Sequence, residues 1–90
     1  MQIDHTPYSE LQARVRDAEK KVVVGAKYYH YKNPQELYDL VGVGLLEATE
    51  QPCVMYRNEE KGVTWVRTLE NFLEDVEVDG KKAPRFTKAS

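Results

Sequence analysis

Two residues in this chain could in principle make a nucleophile and its base, Cys53 and His30, and His30 beside Asp39 could make a polarised imidazole. Neither pair sits in a local signature of a catalytic family. Cys53 lies in the apolar run Pro52-Cys53-Val54-Met55, where a thiol packs as a small hydrophobe, so catalysis is disfavoured and no catalytic residue is assigned. One cysteine and two histidines at no ligand spacing argue against a metal centre. Gly42-Val43-Gly44 lacks the third glycine and the following helix of a phosphate loop. No cofactor is expected.

Binding chemistry is better represented. Tyr28, Tyr29, Tyr31, Tyr38, Tyr56, Trp65 and Phe72 crowd into 45 residues, more rings than a small interior needs. On a strand Tyr29 and Tyr31 share one face while Tyr28 and His30 share the other. Arg57 and Arg67 fall near the ends of two runs that read as neighbouring strands. If they stand together, their guanidiniums can hold a phosphate or carboxylate bidentately. The expected ligand-binding set is therefore Tyr29, Tyr31, Tyr38, Arg57, Trp65 and Arg67.

The elements that must position these side chains follow from periodicity. Tyr8, Leu11, Val15 and Ala18 recur at steps of three and four, which predicts an amphipathic helix over residues 7–20. Thr6 or Ser9 is the expected N-cap, Pro7 suits the first helical position, and Ser9 with Gln12 suits a capping box. After Gly25 the period drops to about two. Strands are expected over residues 27–32, stopped by Asn33-Pro34, then over 37–47, 53–58 and 63–68. Gly42 and Gly44 mark a bulge or bend in the second of these. Residues 58–62 read as a hairpin loop. Leu69, Phe72 and Leu73 give one helical turn, Val76 and Val78 alternate again, and Asp79-Gly80 is the dipeptide a type I′ turn prefers.

Ninety residues make one compact unit. About 55 residues are left for the sheet, too few for an immunoglobulin-type sandwich of roughly 100. The expected fold is mainly β: a small SH3-like antiparallel barrel of about five strands with an added N-terminal helix. Residues 1–24 form the helix and linker, and residues 25–90 the barrel with a basic C-terminal tail. The formal net charge is −2, so no global basic field pulls the chain onto nucleic acid or an anionic membrane. It is unevenly spread, at +2 over residues 1–32, −8 over 33–80 and +4 over 81–90. A lone cysteine, no basic leader and no long apolar run fit a cytoplasmic protein.

The run from Trp65-Val66-Arg67-Thr68-Leu69-Glu70-Asn71-Phe72-Leu73 to Val78-Asp79-Gly80-Lys81, followed by Pro84-Arg85-Phe86, resembles the closing signature of the bacterial domain-of-unknown-function family 1653. The upstream blocks Tyr28-Tyr29-His30-Tyr31-Lys32, Leu37-Tyr38-Asp39-Leu40-Val41-Gly42-Val43 and Val54-Met55-Tyr56-Arg57 are similar to its earlier strands, so the likeness spans residues 27–86. It departs at Tyr29, where a basic residue is common, at Thr68, where proline is common, and in the added N-terminal helix. The resemblance implies an SH3-like barrel and no activity. The expectation is thus a non-enzymatic interaction module that docks a protein or peptide segment on an aromatic and arginine surface. Single-stranded nucleic acid, held by the same aromatics and the basic tail, ranks second. An enzymatic reading ranks third, and pairing of two copies through the helix stripe or an open strand edge is a fourth.

Overall fold

The computed structural model of this chain describes residues 6–89. Helix α1 spans Tyr8–Glu19 and is followed by strand β1, Lys27–His30, and the long strand β2, Asn33–Leu46. Strands β3, Gln51–Asn58, and β4, Val63–Thr68, complete a meander that runs straight into the short helix α2, Leu69–Leu73. Strands β5, Asp75–Val78, and β6, Lys81–Pro84, form a separate hairpin, and β7, Phe86–Lys88, returns to the main sheet beside β1. All pairings are antiparallel, and the main sheet runs β4-β3-β2-β1-β7.

The sheet is strongly curled. Tyr56 on β3 and Phe86 on β7 lie three strand positions apart, roughly 14 Å in a flat sheet at about 4.8 Å per step. Their ring centroids are 5.1 Å apart. The concave face holds the core, in which Phe72, Leu40 and Val54 are the most completely buried large side chains. Phe72 stacks on Phe86 at 4.3 Å and meets Tyr28 edge-on at 5.4 Å. Each such buried aliphatic or aromatic side chain contributes about 1.5–3 kcal/mol.

Curling stops short of closure. The edge strands β4 and β7 do not pair with each other, which corrects the expectation of a closed barrel. The reason lies in the chain between them: α2 follows β4 at once, and residues 75–84 pair among themselves as β5 and β6. Only three residues remain for β7. The basic stretch is also not a tail. Lys81 and Lys82 belong to β6, Lys88 to β7, and Arg85 pairs with Glu74 at 2.7 Å.

The helix packs on its own domain, with Ala18 and the following Val22 buried in the core. Its first turn is looser, and Tyr8 is exposed. No side chain caps the helix, whose N-cap is Pro7. The expected caps and the capping box are absent because the helix starts at Tyr8, which puts Thr6 before the cap position and Ser9 inside the first turn. The Thr6 hydroxyl donates to Glu50 Oε1 at 2.6 Å, tying this end of the chain to the β2–β3 turn. Asn33-Pro34 begins β2 rather than ending β1, since the reversal is made by Tyr31 and Lys32 alone. The β2 irregularity falls between Leu40 and Gly42, leaving Val41 bulged outward and exposed. Asp79 and Gly80 have φ of 52° and 79°, the two positive values that a type I′ turn requires. No helix among the described residues is long and apolar enough to cross a membrane.

Candidate functional site

Strand alternation decides which side chains reach the concave face. Tyr56 is directly opposite Trp65, and Val54 opposite Arg67, so these four share the core side of the β3–β4 ladder. Tyr28 faces Tyr38, and His30 faces Phe86, on the same side. Where the sheet fails to close, His30, Tyr38, Tyr56, Trp65, Arg67 and Phe86 line a pocket of about 230 Å³. That is below the roughly 300–1,000 Å³ of sites enclosing whole small molecules, and suits one side chain or one base. Its walls are rigid: Tyr38 meets Tyr56 edge-on at 5.4 Å, and His30 meets Phe86 edge-on at 5.0 Å. Trp65 closes one side and is 52% exposed.

Arg67 is held from three directions. Its Nε donates to the Tyr56 hydroxyl at 3.1 Å, its Nη1 donates to Asn71 Oδ1, and its guanidinium carbon lies 5.4 Å from the centre of the Phe86 ring. Asn71 sits in α2, whose first turn is fixed by the Thr68 hydroxyl accepting the Asn71 N–H at 3.2 Å. The Asn71 carbonyl also accepts from Arg85 Nε at 3.1 Å, so one residue anchors two guanidiniums.

The charged form of His30 is disfavoured. Burial lowers its pKa below 6.5, and the charges of Arg67, Arg85 and Lys32 lower it further. Its Nδ1 accepts the Lys32 N–H at 3.2 Å, so the ring proton resides on Nε2. Tyr38 donates to Glu36 Oε1 at 2.9 Å, and burial followed by this bond raises its pKa. Glu36 in turn bonds Lys61 and Tyr38, which lower its own pKa. A larger concavity of about 460 Å³ lies beyond, near Lys27, Glu36, Asp39 and Asn58. Four of its nearby charges answer one another through the Lys27–Asp39 and Lys61–Glu36 pairs, while Glu59 and Glu60 on its rim are in no ion pair among the described residues.

The structure thus brings together Tyr38, Trp65 and Arg67 of the expected set. Tyr29 lies on the opposite face of β1, paired with Leu37 and Thr87. Tyr31 is in the β1–β2 turn, its ring 4.6 Å from that of His30, outside the pocket. Arg57 is on the convex face, donating to Thr64 Oγ1 at 3.4 Å. The two arginines therefore point to opposite sides of the sheet, and the bidentate pair does not exist. Cys53 is likewise on the convex side of the ladder, buried, with its Sγ 3.7 Å from the Gln51 carbonyl, so it forms no pair with His30. Asp39 is held by Lys27 at 2.6 Å. His30, Tyr56 and Phe86 are pocket residues that the expected set omits. Even-number alternation along Val54-Tyr56-Asn58 marks Tyr56, whereas nothing local marks Phe86.

Fold and site together define a small, mainly β domain with an N-terminal helix and an aromatic pocket at the seam of its sheet. Over residues 26–88 the chain matches the family described as Protein of unknown function (DUF1653), and it belongs to that family. Comparison with curated proteins finds no match, and comparison with solved structures finds none. Every pocket residue falls inside the matched stretch, while α1 falls outside it.

Proposed function

We propose that this domain is a docking module that takes an extended protein segment across the open seam, with one apolar or aromatic side chain seated in the pocket. The supporting observation is Trp65. A tryptophan on an edge strand that leaves half its surface in water loses the burial that normally justifies so large a side chain, unless something covers it. The walls beneath it are already ordered by the core, so an incoming side chain meets a preformed surface and loses little by ordering it.

Selection from a random peptide library displayed on phage, with the Trp65→Ala protein as counter-target, tests the reading. Sequences enriched on the natural chain and lost on the variant are the expected result. Enrichment that ignores Trp65, or none, overturns it. Single-stranded nucleic acid can stack on the same rings. Affinity for an oligonucleotide that collapses between about 50 and 200 mM salt, in the absence of any peptide binding, establishes that reading instead.

A further inference from the structure

The pocket's free polar atoms are mostly donors; Tyr38, which gives its hydrogen to Glu36, adds an acceptor oxygen at the pocket's Glu36 side. Arg67 Nη2 has no hydrogen-bond partner among the described residues, and no buried side-chain nitrogen or oxygen there lacks one, so Nη2 is in contact with solvent. His30 offers Nε2–H because its Nδ1 is already an acceptor. Tyr56 accepts from Arg67 and keeps its own O–H to give, and the indole N–H of Trp65 can only donate. Glu36, the nearby acceptor, is already occupied by Tyr38, Asn58 and Lys61.

Charge points the same way. Three arginines are partly buried: Arg14, Arg67 and Arg85. Arg14 pairs with Glu10 and Glu50, and Arg85 with Glu74. Arg67 alone of the three has no carboxylate within 4 Å among the described residues, although residues 33–80 carry a net −8. A half-buried guanidinium with an open edge, flanked by aromatic faces, lacks only the acceptor that its geometry fits.

We infer that the docked segment is acidic, placing an Asp or Glu carboxylate against Arg67 beside the apolar side chain that fills the pocket. This rests on the docking reading and adds the identity of the charged group. One guanidinium answers one carboxylate, whereas a nucleic-acid strand needs a succession of phosphate contacts. The other basic residues make no continuous track: Arg85 is neutralised by Glu74, Lys81 and Lys82 belong to the separate hairpin, and Lys32 near His30 and Lys88 on β7 add isolated charges.

Trp65 is the chain's single tryptophan and so reports occupancy by its own fluorescence. The experiment titrates the full chain with blocked tetrapeptides in which Asp, Glu, Asn or Gln follows Phe, Leu or Ile, and with oligo(dT) of matched length. The expected result is that acidic peptides perturb Trp65 and bind at least about tenfold more tightly than their amides. Arg67→Met should abolish that preference, and Arg67→Lys should recover part of it. With an acidic peptide bound, His30 should titrate at a higher pH than with its amide counterpart bound, because the carboxylate offsets the charge of Arg67 while both peptides bury the ring alike. Acid and amide peptides that perturb Trp65 equally overturn this inference and leave docking standing. Peptides that never perturb Trp65 overturn both, as does exclusive binding of oligo(dT).

Discussion

The Tyr56 hydroxyl lies 3.1 Å from Arg67 Nε, and this bond across the β3–β4 ladder aims the guanidinium along the pocket wall. Tyr56 is itself immobilised, packed against Tyr38, Phe72 and Phe86. Core packing is therefore transmitted to a functional group through one oxygen. Tyr56→Phe keeps the ring and removes that oxygen. It should fold normally and cost about 1 kcal/mol in urea denaturation, the low side for a bond to a charged group because Arg67 is partly solvated. Peptide affinity should fall several-fold as the guanidinium loses its direction. Unchanged affinity would show that Asn71 and Phe86 suffice to hold Arg67.

Trp65 and Phe72 should behave oppositely. Phe72 is 2% exposed and touches three other core rings, so Phe72→Ala should cost about 3–5 kcal/mol. Trp65→Ala should cost under about 1 kcal/mol and remove docking. Denaturant melts of the two variants side by side decide this. A loss at Trp65 comparable to that at Phe72 means that the indole serves the core and not a partner.

His30 gives a pH dependence of fixed sign. Its folded pKa is lowered, mainly by burial and then by Arg67, Arg85 and Lys32. The folded state thus resists taking up a proton that the unfolded chain accepts near 6.5. Its contribution to stability is complete above that pH and is lost as pH falls from 6.5 through the lowered folded value. Histidine chemical shifts should give a midpoint for His30 below 6.5. Arg67→Met should move it only part of the way back, because burial remains. His30→Gln should flatten the stability profile on the acid side of 6.5.

Local pattern made β4 legible in the sequence to the residue and α2 as one helical turn, since the period changes between Thr68 and Leu69; the capping role of Thr68 emerges only in the structure. The relative side of Arg57 and Arg67 was not legible, because it depends on the length of one turn. Asn58 pairs with Val63 across the four residues 59–62, which sets each odd-numbered residue of β3 opposite an even-numbered one of β4. A turn one residue shorter or longer would put both arginines on one face. Phe86 and β7 were hidden for another reason. Three residues among lysines carry no periodic signal, and their place beside β1 arises from pairing nearly sixty positions away.

Glycines in β2 illustrate the difference between a bend and a contact. A methyl group added at Gly42 would meet only the Met55 Cε at 3.5 Å, an ordinary contact with a flexible tip. Gly42→Ala should therefore be neutral or mildly stabilising by thermal melting. Gly80, at φ 79° in the β5–β6 turn, has open space around it yet a backbone that alanine adopts poorly. Gly80→Ala should cost about 1 kcal/mol, confined to that hairpin, which hydrogen exchange resolves from the main sheet.

The sharpest probe of Arg67 is to satisfy it from within. Asn71 already accepts from Arg67 Nη1 through Oδ1, so Asn71→Asp places a carboxylate where the amide oxygen is, with almost no change of shape. The position is in the first turn of α2, where a negative charge is favoured by the free N–H groups, so stability should hold or rise. The guanidinium then has its carboxylate, and an acidic peptide must compete with it. Affinity for acidic tetrapeptides should fall roughly tenfold or more while their amides bind as before. A variant that is stable and still prefers the acid would place the recognised charge away from Arg67. Loss of binding to acids and amides alike would mean that Asn71 shapes the pocket rather than tuning its charge.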